Sequence, residues 1–385
     1  MLKNLTFPQK LLIFITGAII LMGAMLVGVG CLILKKDPAA RQSFRSFQRE
    51  LGVDPGSSTA EKLVESGQRY VKLGDFDQAV MDYTAALKEP YEQDTTETAI
   101  VDLAKINIIE HNFDAAFKIL NDGLKDSKKQ YEILEQRAYM YKALGKTKEE
   151  SEDNAKVVAD LTEKISSLQY GAETGYFYWL RADKSTKLGD KEKATADYQK
   201  ALGYYRTDEE PEDKITLYKI LKDDTATQKE MRKDIEQLTD EISKDKDNAD
   251  LYHHRAGVYE ALNNLGAAVK DFERAKEIDP EADDYPTHLA RIMVKRKQYA
   301  EASALFKELA ERDEDDAPSW NVTAEAMVLA GQNKEAIEIA EKAIKLDPFE
   351  ADGYLFKGRA LKNLGVKDAE EFIKIGTALG YEDSI

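Results

Sequence analysis

Residues 318–348 read PSWNVTAEAMVLAGQNKEAIEIAEKAIKLDP, and this stretch decides the fold. Ala324, Ala336 and Ala343 are small positions set among large ones. Gly331 stands midway, and Asp347 with Pro348 closes the stretch. Upstream, the pattern returns at a constant step: Ala268, Ala302 and Ala336 are 34 residues apart, and Ala256, Ala290, Ala324 and Gly358 keep the same spacing. A period of this length marks a solenoid of helix pairs, in which each unit buries its apolar face only against its neighbours. Such a fold presents a long groove and rarely a catalytic pocket.

The phase of the residues matters as much as the period. Trp320, Ala324, Met327, Gly331, Ala336, Ala343 and Pro348 form one set; Tyr252, Ala256, Tyr259, Ala268, Phe272, Ala275 and Pro280 form a second. Gly67, Tyr70, Gly74, Ala79, Tyr83 and Ala86 form a third near the start. Small residues fit where helices cross closely, and large ones a turn away fill the gap beside them. Gly74, Gly145, Gly189, Gly331 and Gly365 are placed to end the first helix of a pair. Asp-Pro at 279–280 and 347–348 stops the second.

In these residues the chain resembles the tetratricopeptide repeat family. The resemblance implies an all-α solenoid of helix pairs wound as a right-handed superhelix over 59–381, with about eight to nine units. Units are expected at Ala79, Ala116, Glu150, Ala194, Ala268, Ala302 and Ala336. About ten residues are inserted around 166–175. A degenerate unit is expected near 212–246, with Asp234 at its alanine position. The last unit keeps Gly358 and Gly365 and is expected to cap the array.

The chain has 385 residues, of which 33% are charged and 9% aromatic, a folded composition. Its net charge is −17. Residues 1–50 hold seven basic and two acidic side chains, so the remainder carries −22. An array this acidic does not bind nucleic acid by neutralising phosphates. Cys31 is the single cysteine, which excludes an internal disulfide.

Residues 11–34 carry no charge. As a helix they would span roughly 36 Å, enough to cross a bilayer. The expected layout is a tail over 1–10, a transmembrane helix over 11–34 and a basic juxtamembrane linker over 35–58. A lipoprotein signal or a cleaved leader are alternatives. Lys3 and Lys10 precede the segment; Lys35, Lys36, Arg41, Arg45 and Arg49 follow it. This bias predicts a single-pass protein with cytoplasmic repeats. Phe44, Phe47 and Leu51 share one side of a possible helix and Arg41, Arg45 and Arg49 another. That segment either lies on anionic lipid or packs on the first repeat.

No catalytic constellation, cofactor site or metal site is legible, and no enzyme activity is expected. Asp245, Asp247 and Asp250 faintly suggest a calcium loop, but it would need Gly where Asp250 stands and Glu where Ala256 stands. The resemblance implies instead that the first helix of each pair lines a concave face that contacts ligand. Carried onto this chain, it assigns Tyr139, Trp179, Asp183, His253, Arg291, Asn321, Glu325 and Arg359 to the groove. His253, Arg291, Asn321 and Glu325 are expected to project from successive C-terminal units. The family's best-known groove clamps a C-terminal carboxylate with a Lys and an Asn one turn apart. The first unit has Val64 and Gln68 there, which counts against that clamp. The expected partners are protein or peptide segments and the membrane, with no nucleic acid and no small-molecule substrate. The expected function is a membrane-anchored scaffold or adaptor supporting assembly of a membrane-associated complex. The alternative is an accessory subunit of a secretion or envelope-assembly machine with its repeats on the non-cytoplasmic side.

Overall fold

A computed structural model of the protein describes residues 58–90, 93–126, 130–168, 172–205, 211–280, 282 and 284–381. The expected membrane segment 11–34, and the basic stretch after it apart from Ser58, lie outside the described residues. Among the described residues no helix is long and apolar enough to cross a membrane. They contain eighteen helices and no strand: α1 Thr59–Lys72, α2 Phe76–Ala86, α3 Gln93–Ile109, α4 Phe113–Asp126, α5 Tyr131–Ala143, α6 Thr147–Ser167, α7 Ala172–Lys187, α8 Lys191–Leu202, α9 Pro211–Ile220, α10 Thr225–Lys244, α11 Ala249–Ala261, α12 Leu265–Ile278, α13 Asp284–Lys295, α14 Tyr299–Ala310, α15 Ala317–Leu329, α16 Asn333–Leu346, α17 Ala351–Asn363 and α18 Ala369–Leu379.

These helices pack as consecutive pairs. The second helix of each pair also lies against the first helix of the next, the architecture of a solenoid. Short polar caps start several of them. The side chains of Asp75, Asp190, Asp224, Asn264 and Asp316 each accept a hydrogen bond from the backbone N–H three residues on. Gly74, Gly145, Gly189, Gly331 and Gly365 all adopt φ between 67° and 78° at the turn inside a pair. That left-handed backbone is open to glycine without steric cost. His111, Asn263 and Lys297 hold the same conformation in three other pairs. Ala79, Ala116, Ala194, Ala268, Ala302 and Ala336 are all buried, as helix-crossing residues must be.

A repeated ion pair ties the central units together. Arg137 grips Asp153 through Nε and Nη2 at 2.6 and 2.7 Å; Arg181 and Arg255 hold Asp197 and Asp271 in the same way. Each arginine sits on a first helix and its aspartate on the second helix of the same pair, 16 residues later. The remaining Nη1 reaches back to Asn121, Thr162 or Thr239 on the preceding second helix. One guanidinium therefore joins three helices, a use of its planar fork that lysine could not reproduce.

This pattern corrects the register of the degenerate unit. Asp234 accepts from Tyr218 Oη at 2.8 Å, again 16 residues away, and from Lys214 Nζ at 2.9 Å. It thus occupies the aspartate position, and fully buried Met231 takes the alanine position. Met231 lies 37 residues after Ala194 and 37 before Ala268. The inserted residues before it are largely helical: α6 runs for 21 residues and ends only at Ser167.

The last pair does more than cap the array. α17 and α18 cross closely, because a Cβ on Gly358 would lie 2.6 Å from Ile373 Cγ1 and one on Gly376 2.8 Å from the Ala351 carbonyl oxygen. α18 then packs against α3 and α5, the first helices of the second and third units. Ile375, Ala378 and Leu379 join Ile100, Ala104, Ile108, Ile133 and Met140 in one apolar cluster. Gln136 Nε2 donates to the Ala378 carbonyl at 2.6 Å, His111 Nδ1 lies 2.6 Å from Glu371, and Lys374 Nζ sits 3.9 Å over the Phe113 ring. The concave face of these units is therefore filled by the chain itself.

Two histidines belong to the core of the sixth and seventh units. His288 stacks on Phe272 with ring centroids 4.7 Å apart, and His253 packs against His288 and Tyr285. Burial, reinforced by His253, pushes the His288 imidazole down to about 3. Burial also lowers His253. Burial would raise Glu260 beside them, but Lys219 and Lys295 outweigh it and hold that carboxyl below its usual range.

Two expectations follow from this packing. Replacing fully buried Ala336 with Leu should overfill the crossing and cost roughly 1–3 kcal/mol. A calorimetric melt checks this; an unchanged midpoint would contradict the crossing. His288 is neutral when folded but titrates near 6.5 when unfolded, so its contribution is intact above pH 6.5 and is lost as pH falls toward about 3. Denaturant titrations should show a loss of about 2 kcal/mol between pH 6.5 and 5 from this group, flattened in His288→Phe.

Candidate functional site

Beyond α18 the concave face opens. α5, α7 and α9 present consecutive first helices, and between them lies a recess of about 450 Å3. Its walls are Glu135 and Tyr139 from α5; Tyr176, Trp179, Leu180, Asp183 and Lys184 from α7; Tyr205; and Asp213 from α9. The α7 residues lie three and four apart, so the helical turn aligns them on one face. α9 is ten residues long, shorter than any other described first helix. A second recess, of about 550 Å3, opens beyond it among Tyr205, Lys214, Asp234, Asn248 and His254. Tyr205 is the wall the two share.

The floor of the first recess is a buried charge network. Lys184 Nζ lies 2.5 Å from Glu135, 3.2 Å from Asp183 and 3.2 Å from the Tyr139 hydroxyl, with only 1% of its side chain exposed. Burial alone would lower this lysine; Glu135, Tyr139 and Asp183 outweigh it and keep the ammonium charged. Lys187 pairs with the same Asp183 oxygen, Oδ2, at 3.1 Å. Both ammonium groups sit 5.0 Å from the Tyr139 ring centroid. Trp179 meets Tyr205 edge to face at 6.2 Å. Tyr176 is 53% exposed at the mouth, and burial of its hydroxyl together with Glu135 raises its pKa. Gly380, the C-cap of α18, abuts the Tyr139 ring and marks where the filled face ends.

Of the eight side chains expected in the groove, three meet here: Tyr139, Trp179 and Asp183. The C-terminal set does not form the expected row. His253 and Asn321 are buried, at 9% and 2% exposure. His253 is held in the ring cluster described above. Asn321 is wedged between α15 and α17, and a Cβ on Gly353 would approach its Oδ1 to 3.3 Å. Arg291 is exposed and Glu325 half-buried. Arg359 lies over the Phe356 and Tyr381 rings, 5.9 and 5.4 Å away. Sequence reasoning missed Tyr176, Lys184, Tyr205 and Asp213. The Tyr176, Trp179, Asp183 spacing on one helical face was the available signal for the first of these.

Comparison with known proteins supports the repeat assignment. A family model described as tetratricopeptide repeat matches residues 259–326, and a second with the same description matches 319–350. The Hsp70-Hsp90 organizing protein of Triticum aestivum is 31% identical over 106 residues, covering 28% of this chain and 18% of that protein. U-box domain-containing protein 70 of Oryza sativa subsp. japonica is 30% identical over 109 residues, covering 28% and 14%. The matches thus span less than a fifth of these relatives' length. Among solved structures, yeast Tom70 is 14% identical, with a TM-score of 0.35 over 80% of this chain and 82% of that one. YrrB, described as a TPR protein with an unusual peptide-binding site, is 18% identical, with a TM-score of 0.33 over 57% and 92%. The tetratricopeptide repeat matches are confined to residues 259–350, and the described residues form an all-α solenoid of helix pairs like theirs.

Proposed function

We propose that this protein is a non-catalytic, membrane-tethered scaffold that binds a segment of a partner protein in the recess between α5, α7 and α9. The carrying observation is that three groove positions converge on the open recess of about 450 Å3, while the neighbouring concave face is filled by α18. A pocket of that size, walled by aromatic rings with a few fixed polar groups, suits a protein or peptide ligand. The relative named for organizing Hsp70 and Hsp90 contains similar repeats, in keeping with an adaptor role. The tether rests on the uncharged stretch 11–34, and the basic residues after it favour cytoplasmic repeats. Tethering concentrates the scaffold beside membrane partners, so modest affinity suffices to support assembly of a membrane-associated complex.

The test uses the full-length tagged chain, extracted from membranes in a mild uncharged detergent. Tyr176→Ala with Trp179→Ala should reduce recovery of co-purifying proteins at least fivefold with the helical signal retained. Arg291→Ala should leave it unchanged. Unaltered recovery from the double variant, or a chain that washes off membranes in carbonate, would count against the reading.

A further inference from the structure

We propose that the recess between α5, α7 and α9 receives a lysine or arginine side chain of the partner, so that the ligand is a basic protein segment. This rests on the reading of the recess as a docking site and adds its chemistry. Tyr176, Trp179 and Tyr205 supply ring faces and edges. Aromatic faces attract cations through their quadrupoles, most strongly where water is excluded. The fold already uses this attraction, since Lys184 and Lys187 both rest over Tyr139.

The charge balance points the same way. Among the described residues, Glu135, Asp183 and Asp213 line the recess against Lys184. Glu135 and Asp183 are engaged by Lys184, and Asp183 by Lys187 as well. Asp213 is exposed at the rim and makes no ion pair among the described residues. It is the carboxylate left for an incoming cation, in a lining shared with Tyr176 and Trp179. An acidic segment would meet Asp213 and the Glu135 side of the floor, where the one described lining cation, Lys184, is already engaged. A neutral one would leave that carboxylate facing it without a partner. The surrounding chain, at −17 overall, adds long-range attraction for a basic segment.

The probe is a blocked hexapeptide with two central arginines flanked by glycine and serine, titrated into the full chain in uncharged detergent. Calorimetry and tryptophan fluorescence are read together. Trp320 is buried, with Nε1 donating to the Glu314 carbonyl, so a fluorescence change reports Trp179. The arginine peptide should bind saturably and alter the emission; the matching glutamate peptide should do neither. Asp213→Lys should weaken binding at least tenfold. Asp315→Lys, the same charge change on an exposed loop outside the recess lining, should leave it within twofold. Equal weakening by both variants, binding of the glutamate peptide, spermidine binding as tightly as the peptide, or no arginine-peptide binding would each overturn the proposal. If the arginine peptide fails while Tyr176→Ala with Trp179→Ala still abolishes partner recovery, the recess remains the docking site and only the cation chemistry falls.

Discussion

The contact of α18 with α3 and α5 constrains everything the concave face can do. A solenoid built only of neighbour contacts leaves its first helices exposed along the inside. Here the second and third units are covered by Ile375, Ala378 and Leu379, and Gln136 satisfies the Ala378 carbonyl at the end of that helix. Closure joins residues more than two hundred positions apart, so it bears the loop-closure entropy of that whole span. It also sets the edge of the accessible surface: Gly380 meets Tyr139, and the open recess begins on the other side of that ring.

The central units owe their geometry to a different device. Arg137, Arg181 and Arg255 each hold an aspartate bidentately and touch the preceding unit, which fixes three helices around one planar group. In the fifth unit this becomes Tyr218 with Lys214 on Asp234. That unit also has the shortest first helix among the described residues, and two recesses border it. Its irregularity is held by a hydrogen-bonded aspartate, because a carboxylate so enclosed would be costly without partners.

Much of this fold is legible in the sequence because small residues at crossings and glycines at left-handed turns admit few substitutes. Ala268, Ala302 and Ala336 are fully buried, and the five turn glycines all have positive φ. The site is less legible, because the residue at a groove position does not report its neighbours. His253 and Asn321 occupy such positions and are packed inward, one by aromatic rings and one beneath Gly353. A count of 34 residues back from Ala268 lands on Asp234, whereas the even 37-residue steps from Asp197 to Asp234 to Asp271 mark its true place, with Tyr218 standing where the other units have arginine. The closure itself has no local signature. Ile375 and Leu379 look like the inner face of any terminal helix, and only tertiary contact shows that they reach Ile133 and Met140.

Whether the array closes on itself in solution decides how much of its concave face a ligand can reach. His111 on the α3–α4 turn and Glu371 in α18 lie 2.6 Å apart, and both are exposed. In a full-length Cys31→Ser background, His111→Cys with Glu371→Cys should be linked within one chain by a short bismaleimide, with each single variant unlinked. Peptide mapping should recover the joined 111 and 371 fragments from monomeric protein at high yield. No intramolecular link, or links only between chains, would show that α18 leaves the concave face open and would contradict the account.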